Sequence, residues 1–326
     1  MKRSLAVPPV AAIVSVLAFL AAADVQAQAY PSRPITITVP FAAGGSVEPL
    51  ARLIGPPLGA RLGQPIVVEV KPGGSTTIGA NYVAKSPPDG YSLLLTTSTH
   101  DVVASTMANL PYDPLADFAP VGIVGTMPMI VVVPSVFPVK SLDEFLRYVK
   151  ASPGKYSFAT GAAGGNTHLV TAIFLQNAGL NMTDIPYKGS SQALVDVVGG
   201  RVHLFLDVPG SVLPLIRDGK LRALAVTSSA RASVLPDAPT LAESGFPGFD
   251  AGFWMGLLAP AKTPASVLER LNSDLNKVLE QPDMQQRLEQ QGYMVKPTRY
   301  TEFGEFLKRD VAQFAAAVKA LGLKAQ

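Results

Sequence analysis

The 326-residue sequence has no cysteine, and that one absence removes disulfides, thiolate nucleophiles and cysteine-based metal sites together. A chain of this length can bury a core large enough to hold without covalent staples, so the absence does not conflict with an oxidising compartment. Charge is also thin. With 16% charged residues and a formal net charge of +3, no basic arm gathers, and a nucleic-acid surface, which needs many phosphate contacts, is not expected. Histidine occurs three times, at His100, His168 and His203, far apart in sequence and never paired on one helix face, so each is read as a hydrogen-bonded structural residue. No serine stands between glycines at nucleophile-elbow spacing. None of the glycine-rich stretches carries the Lys-Ser/Thr of a phosphate loop or the three-glycine spacing of a dinucleotide fold, so no cofactor and no metal are expected.

What is present begins at the N-terminus. Lys2 and Arg3 precede an uncharged apolar stretch from Ser4 to Ala23, and small residues at cleavage spacing follow at Val25-Gln26-Ala27 and Ala27-Gln28-Ala29. Residues 1–29 are therefore read as a secretory signal peptide, cut after Ala27 or Ala29. No second stretch is long and apolar enough to cross a bilayer, and 29 prolines are scattered along the chain, so the mature protein is expected to be exported, soluble and periplasmic.

Strands and helices then alternate. Ile35-Thr36-Ile37-Thr38-Val39 has strand period, Glu48 to Leu62 has helical spacing, and Pro56-Pro57 should kink or interrupt that helix. Strands follow at Ile66–Val70 and, after the Pro88-Asp89-Gly90 turn, at Tyr91–Leu95, with a short helix at Ile78–Ala84 between them. The long apolar segment Pro120–Val133 suits a strand crossing between domains. Ser141-Leu142-Asp143-Glu144 has capping-box form and opens a helix to about Lys150. The alternation restarts with strands at Tyr156–Ala159 and Asp184–Tyr187 and helices at Thr167–Ala178 and Gln192–Val198. Strands at Val202–Asp207 and Leu221–Thr227 complete it, and Phe253–Leu258 carries the chain back. Thr263 is expected to cap a helix with Pro264 at its first position, and two further helices end the chain. This order predicts an α/β protein with parallel sheets.

Two strand-to-helix junctions stand out. Phe41, Ala43, Gly44, Gly45, Ser46, Val47 and Glu48 form the first; Thr160, Gly161, Ala163, Gly164, Gly165, Asn166, Thr167 and His168 form the second. A glycine-rich turn into a helix leaves main-chain N–H groups without intrahelical partners at the positive end of the helix dipole, which suits an anion. Either loop alone is as well explained by tight connections. The pair suggests a clamp, since ligands of open α/β sheets lie beyond the carboxyl ends of the strands. His168, in a first helical turn, is disfavoured as a cation and read as neutral. Ser98, after the third strand, joins the candidate set, as does Asp207, where a carboxylate ending an apolar strand either meets a ligand amine or hydroxyl or caps the next helix. Trp254, the sole tryptophan, is read first as core and second as a cleft wall near the hinge.

Several segments match a known pattern in order and spacing: Pro31-Ser32-Arg33-Pro34-Ile35, Pro40-Phe41 with Gly44-Gly45, Pro88-Asp89-Gly90-Tyr91, and Leu110-Pro111-Tyr112-Asp113-Pro114. Tyr187-Lys188-Gly189, Leu221-Arg222-Ala223-Leu224-Ala225-Val226-Thr227, Leu235-Pro236-Asp237-Ala238-Pro239-Thr240 and Gly256-Leu257-Leu258-Ala259-Pro260 continue it. From Tyr30 onward the chain resembles the Bug-type receptors, the solute-binding components of tripartite tricarboxylate transporters. The resemblance implies a two-lobed type II periplasmic binding protein fold, with residues 30–125 and 254–326 in lobe 1, 126–253 in lobe 2 and a ligand cleft between them. It implies no enzyme but a monomeric receptor, holding a carboxylate with main-chain donors of the loops 41–48 and 159–167 and handing it to membrane transporter subunits. A sensor role without uptake, or an exported hydrolase using Asp207 with His100 or His168, are the alternatives. Glu48 stands where the family usually has Asp.

Overall fold

The computed structural model describes residues 30–41, 47–161, 165–187, 189–320 and 322. Among them two five-stranded sheets repeat one plan. In the first, β1 (Ile35–Val39) lies between β2 (Ile66–Val70) and β3 (Ser92–Thr97) and runs parallel to both. β10 (Gly252–Pro260) adds antiparallel to β3, and β4 (Phe118–Pro128) antiparallel to β10. In the second, β6 (Ser157–Thr160) runs parallel to β7 (Thr183–Pro186) and β8 (Leu204–Asp207), β5 (Ile130–Pro134) antiparallel to β8, and β9 (Leu221–Val226) antiparallel to β5 at the edge. The expected parallel sheets are thus mixed. The reason is topological: β5 and β10 are the strands by which the chain changes sheet, and each enters its new sheet against the prevailing direction.

The segment expected as one crossing strand over Pro120–Val133 is two strands in different sheets, with only Met129 between them. A strand shared by two sheets would have to follow both twists, and a single residue outside the ladders relieves that conflict. Met129 is fully buried and tied to the returning chain: its N–H donates to Thr227 Oγ1 at 2.9 Å and its carbonyl accepts from the Thr227 N–H at 3.0 Å. The Ala251 N–H closes the junction on the Thr227 carbonyl at 3.1 Å.

Ten helices among the described residues cover the sheets: α1 (Val47–Leu62), α2 (Thr77–Ala84), α3 (Thr99–Thr106), α4 (Leu142–Lys150), α5 (Asn166–Ala178), α6 (Ser190–Val198), α7 (Pro209–Arg217), α8 (Ala265–Leu279), α9 (Pro282–Gln290) and α10 (Tyr300–Ala320). Contrary to expectation, α1 runs through Pro56-Pro57 without interruption. Pro56 is exposed, so the carbonyl that loses its donor there lies toward solvent, while the opposite stripe of Leu50, Ile54 and Leu58 is buried and holds the helix in place. Gly59 belongs to that buried stripe for a steric reason. A Cβ there would come within 2.9 Å of the Gln64 carbonyl oxygen, so a larger residue would push the helix off the turn that leads into β2.

α8 begins at Ala265 with Pro264 as its cap, one residue later than expected, because the Thr263 hydroxyl turns back to donate to the Pro260 carbonyl at 2.7 Å. Helix α3 was not foreseen. Its signals are a Ser-Thr start, Asp101 in the first turn, and Val102 and Val103 on the buried face. α10 is packed twice over: Phe303 and Leu307 join the core around Trp254 and Leu258 of the first sheet, whereas Phe314, Ala317 and Val318 join the core around Val170 and Phe174 of the second.

Candidate ligand cleft

The sheet directions decide where a site can lie. Because β1 and β3 are parallel, the chain leaves the first sheet toward α1 and toward Ser98 at the same edge. Because β6 and β8 are parallel, the second sheet presents Thr160 and Asp207 at one edge too. These carboxyl edges are joined directly. Asn166, the first residue of α5, donates from Nδ2 to Ser98 Oγ at 2.7 Å and, more weakly, to the Gly252 carbonyl at 3.4 Å. The Ser98 N–H in turn donates to the Trp254 carbonyl at 3.1 Å. The Gly252 carbonyl can only accept, which fixes the Asn166 amide with its nitrogen on this side. Asn166 Oδ1 is then buried and accepts no hydrogen bond.

The second loop is braced from within. The Gly161 N–H donates to Thr167 Oγ1 at 3.3 Å, and the Thr160 hydroxyl donates to Asp184 Oδ1 at 3.0 Å. His168 Nε2 is 3.5 Å from Asp184 Oδ2, so this imidazole is turned onto β7 and away from the Ser98–Asn166 junction. Burial lowers its pKa, and the neighbouring Asp184 carboxylate partly restores it. Gly165 precedes α5 in extended conformation, φ −77°, which does not require glycine.

Asp207 is 2% exposed at the end of β8. Its Oδ1 accepts the Val208 N–H at 2.8 Å, and Oδ2 accepts no hydrogen bond. Burial raises its pKa above the ordinary carboxylate value, and the nearby Ser190 hydroxyl, the Val208 N–H and the Ser211 hydroxyl hold the rise in check. Neither histidine of the hydrolase alternative is bonded to it: His100 Nε2 meets the Pro114 carbonyl at 2.9 Å, and burial lowers the His100 pKa to about 4.

On the first loop, Val47 is buried and Phe41 packs against the first lobe's core. Glu48 Oε1 accepts from Arg52 Nε at 2.9 Å and Nη2 at 2.7 Å. Its charge is therefore met by a cation one turn further along the helix. Ala43, Gly44, Gly45, Ser46, Ala163 and Gly164 lie outside the described residues.

The structure thus brings together Ser98, Asn166 and Gly252 at one point, Thr160, Gly161, Thr167, His168 and Asp184 at another, and Asp207 with Ser190 at a third. Sequence reasoning missed Gly252, Asp184 and Ser190. Asp184 and Ser190 lie in short segments whose only signal was a polar residue beside an element end, and Gly252 acts through its carbonyl, which no side-chain pattern reports.

Two lobes of the same plan, two crossings around Met129 and a junction of facing carboxyl edges define a solute-binding receptor. Residues 50–323 match the model of the tripartite tricarboxylate transporter family receptor. The chain belongs to that family. It is 37% identical over 305 residues to Protein BugT of Bordetella pertussis, covering 93% of this chain and 94% of that protein. Among solved structures it is similar to MatC from Rhodopseudomonas palustris with bound malate, at 32% identity and a TM-score of 0.67, covering 89% of this chain and all of that one. An R. palustris protein solved with adipate gives 32% identity and a TM-score of 0.70, covering 90% and 99%. The relatives are binding proteins described in terms of periplasmic transport, in line with the two-lobed fold and the receptor role expected from the sequence.

Proposed function

We propose that the chain is exported by residues 1–29 to the periplasm, binds a small carboxylate-bearing metabolite between its lobes, and delivers it to the membrane subunits of a tripartite tricarboxylate transporter. The observation that carries this reading is the meeting of the two carboxyl edges at Ser98 and Asn166, with α1 and α5 each opening beside it. Main-chain N–H groups at the two helix starts supply the anion-binding half of the site, and the two structures with malate and adipate are consistent with that chemistry in relatives. Asp207, with one buried carboxylate oxygen that accepts nothing, supplies the other half. It favours a ligand that carries a hydroxyl or ammonium group besides its carboxylate, because such a donor satisfies the oxygen. The hinge is the mechanism: a ligand that touches both loops only when the lobes are shut shifts the population toward the closed form.

A thermal-shift screen over di-, hydroxy- and amino-carboxylates tests this. A ligand at a hundred times its Kd stabilises the native state by about 2.7 kcal/mol, and Gly45→Pro, which deletes one main-chain donor of the first loop, is expected to abolish the shift. Absence of a shift with every carboxylate would sink the reading.

A further inference from the structure

Two carboxyl groups that the cleft does not use are buried together behind it. Asp101, in the first turn of α3, is fully buried, and Asp310 on α10 is 6% exposed. Both meet one donor: Trp254 Nε1 reaches Asp101 Oδ2 at 2.9 Å and Asp310 Oδ2 at 3.1 Å. Asp101 Oδ1 is buried and accepts no hydrogen bond, and neither group forms an ion pair among the described residues. A single neutral N–H does not offset two negative charges held out of water, and like charges this close do not both persist. One proton shared by the pair removes the conflict.

The surrounding groups leave that balance in place. Burial raises the Asp310 pKa, and Asp250, from the segment before β10, adds to the rise. Arg309 and Lys296 are exposed, and Glu302 is taken by Arg299 at 2.8 Å. On α3 itself, burial lowers the His100 pKa to about 4, and its ring is turned to the Pro114 carbonyl with Tyr112 stacked on it. β3, β4 and β10 carry no ionisable side chain, and the α2 residue Tyr82 is exposed beside Lys71.

The pair is connected to the lobe junction through Ser98. The Asp101 and Val102 N–H groups both donate to the Ser98 carbonyl at 3.1 Å, and the Ser98 N–H donates to the Trp254 carbonyl at 3.1 Å. Ser98 Oγ is the atom that Asn166 holds. The position of Ser98 therefore depends on how α3 sits against α10.

We propose that Asp101 and Asp310 form a proton-operated latch on this junction. With one proton between them, α3 stays against α10 and Ser98 is placed for Asn166. When that O–H bond breaks and the proton leaves for solvent, two anions push α3 from α10 and the Ser98–Asn166 contact loosens. The latch is whole below the pair's folded pKa and lost as pH rises through it. By linkage, making the junction tightens the hold on the proton. That loosening releases a solute rests on the receptor reading; the latch itself does not.

The test needs no ligand, so its outcome is separate from that of the carboxylate screen. Trp254 is the sole tryptophan and its indole N–H lies on both carboxyl groups, so its emission reports the proton directly. Between about pH 5 and about pH 9 the wild-type emission should titrate, and Asp101→Asn and Asp310→Asn, uncharged at the altered position, should abolish the step. The Ser98→Ala/Asn166→Ala cycle, run in urea at both ends of that range, reads the junction. In the wild-type background the coupling should be about fivefold in equilibrium constant at the acid end and below about twofold at the alkaline end. With Asp101→Asn it should be the same at both. Wild-type emission that does not titrate, or a step that persists in both asparagine variants, overturns the shared proton. A wild-type coupling that is equal at both pH values, or one that falls as steeply with Asp101→Asn, overturns the latch.

Discussion

The contact that joins the two carboxyl edges can be measured. Asn166→Ala deletes a buried donor that reaches Ser98 Oγ at 2.7 Å and the Gly252 carbonyl at 3.4 Å, and it also deletes Oδ1, which accepts nothing. The short bond contributes about 1 kcal/mol net, and the long one little. Loss of the unsatisfied oxygen offsets part of the damage, so the single variant understates the bond. A double-mutant cycle with Ser98→Ala isolates it, because neither alanine can take over the missing partner. The assay is urea unfolding of the ligand-free wild type, both single variants and the pair, with the slope m checked for constancy. The expected coupling is about 1 kcal/mol, so that the double variant is less damaged than the sum of the singles. Additivity within about 0.3 kcal/mol would refute the claim that this bond ties the lobes.

Other consequences follow from particular side chains. Trp254 Nε1 donates to Asp101 Oδ2 at 2.9 Å and to Asp310 Oδ2 at 3.1 Å, and burial, with the facing Asp310, holds the Asp101 carboxyl well above its usual range. A carboxyl raised in the folded state contributes stability that is full below its unfolded pKa and lost as pH rises through the folded value. Relative to Asp101→Asn, the wild type should therefore lose stability as pH rises from about 4 toward neutrality, by at most about 1.4 kcal/mol per pH unit for one proton. Parallel curves of unfolding midpoint against pH would show that the pair carries no extra proton. Gly256→Ala places a Cβ 2.6 Å from the Phe303 ring and 3.1 Å from the Gly122 carbonyl oxygen, and overpacking of this kind should cost about 1–3 kcal/mol in denaturant melts. Gly252→Ala brings a Cβ to 2.7 Å from the Met127 carbonyl oxygen at the crossing; small-angle scattering with and without ligand is expected to show an altered change in radius of gyration, and an unaltered one would remove Gly252 from the pivot. Asp207→Asn should weaken hydroxy- or amino-carboxylates more than plain ones by calorimetry, and equal weakening would count against its selective role.

The strand-and-helix order was legible because period and punctuation report local geometry. Ile35–Val39 and Ser141–Lys150 are examples, the latter with Ser141 Oγ accepting the Glu144 N–H at 3.2 Å. What escaped were effects that depend on the partner. Pro56-Pro57 ought to break an isolated helix, but burial of the opposite face outweighs the two hydrogen bonds that the prolines cannot donate. Pro120–Val133 is uniformly apolar, so nothing in its pattern marks Met129 as the change of sheet. The two glycine-rich junctions announced themselves as loops, whereas Asn166 announces nothing until Ser98 is placed beside it. The Glu48 carboxylate is met by Arg52, four residues on, a spacing visible in the sequence that acquires meaning only once the helix is known to begin at Val47.

The double packing of α10 has a consequence for how the molecule comes into being. The second sheet runs from Ile130 to Val226, yet its core is finished by Phe314, Ala317 and Val318 near the end of the chain. The first sheet likewise waits for Phe303 and Leu307. During synthesis neither half can mature ahead of the other, because both need the final helix. The two lobes therefore share one cooperative folding event, and a chain truncated before Tyr300 should yield two unfinished halves, not one good lobe and one poor one.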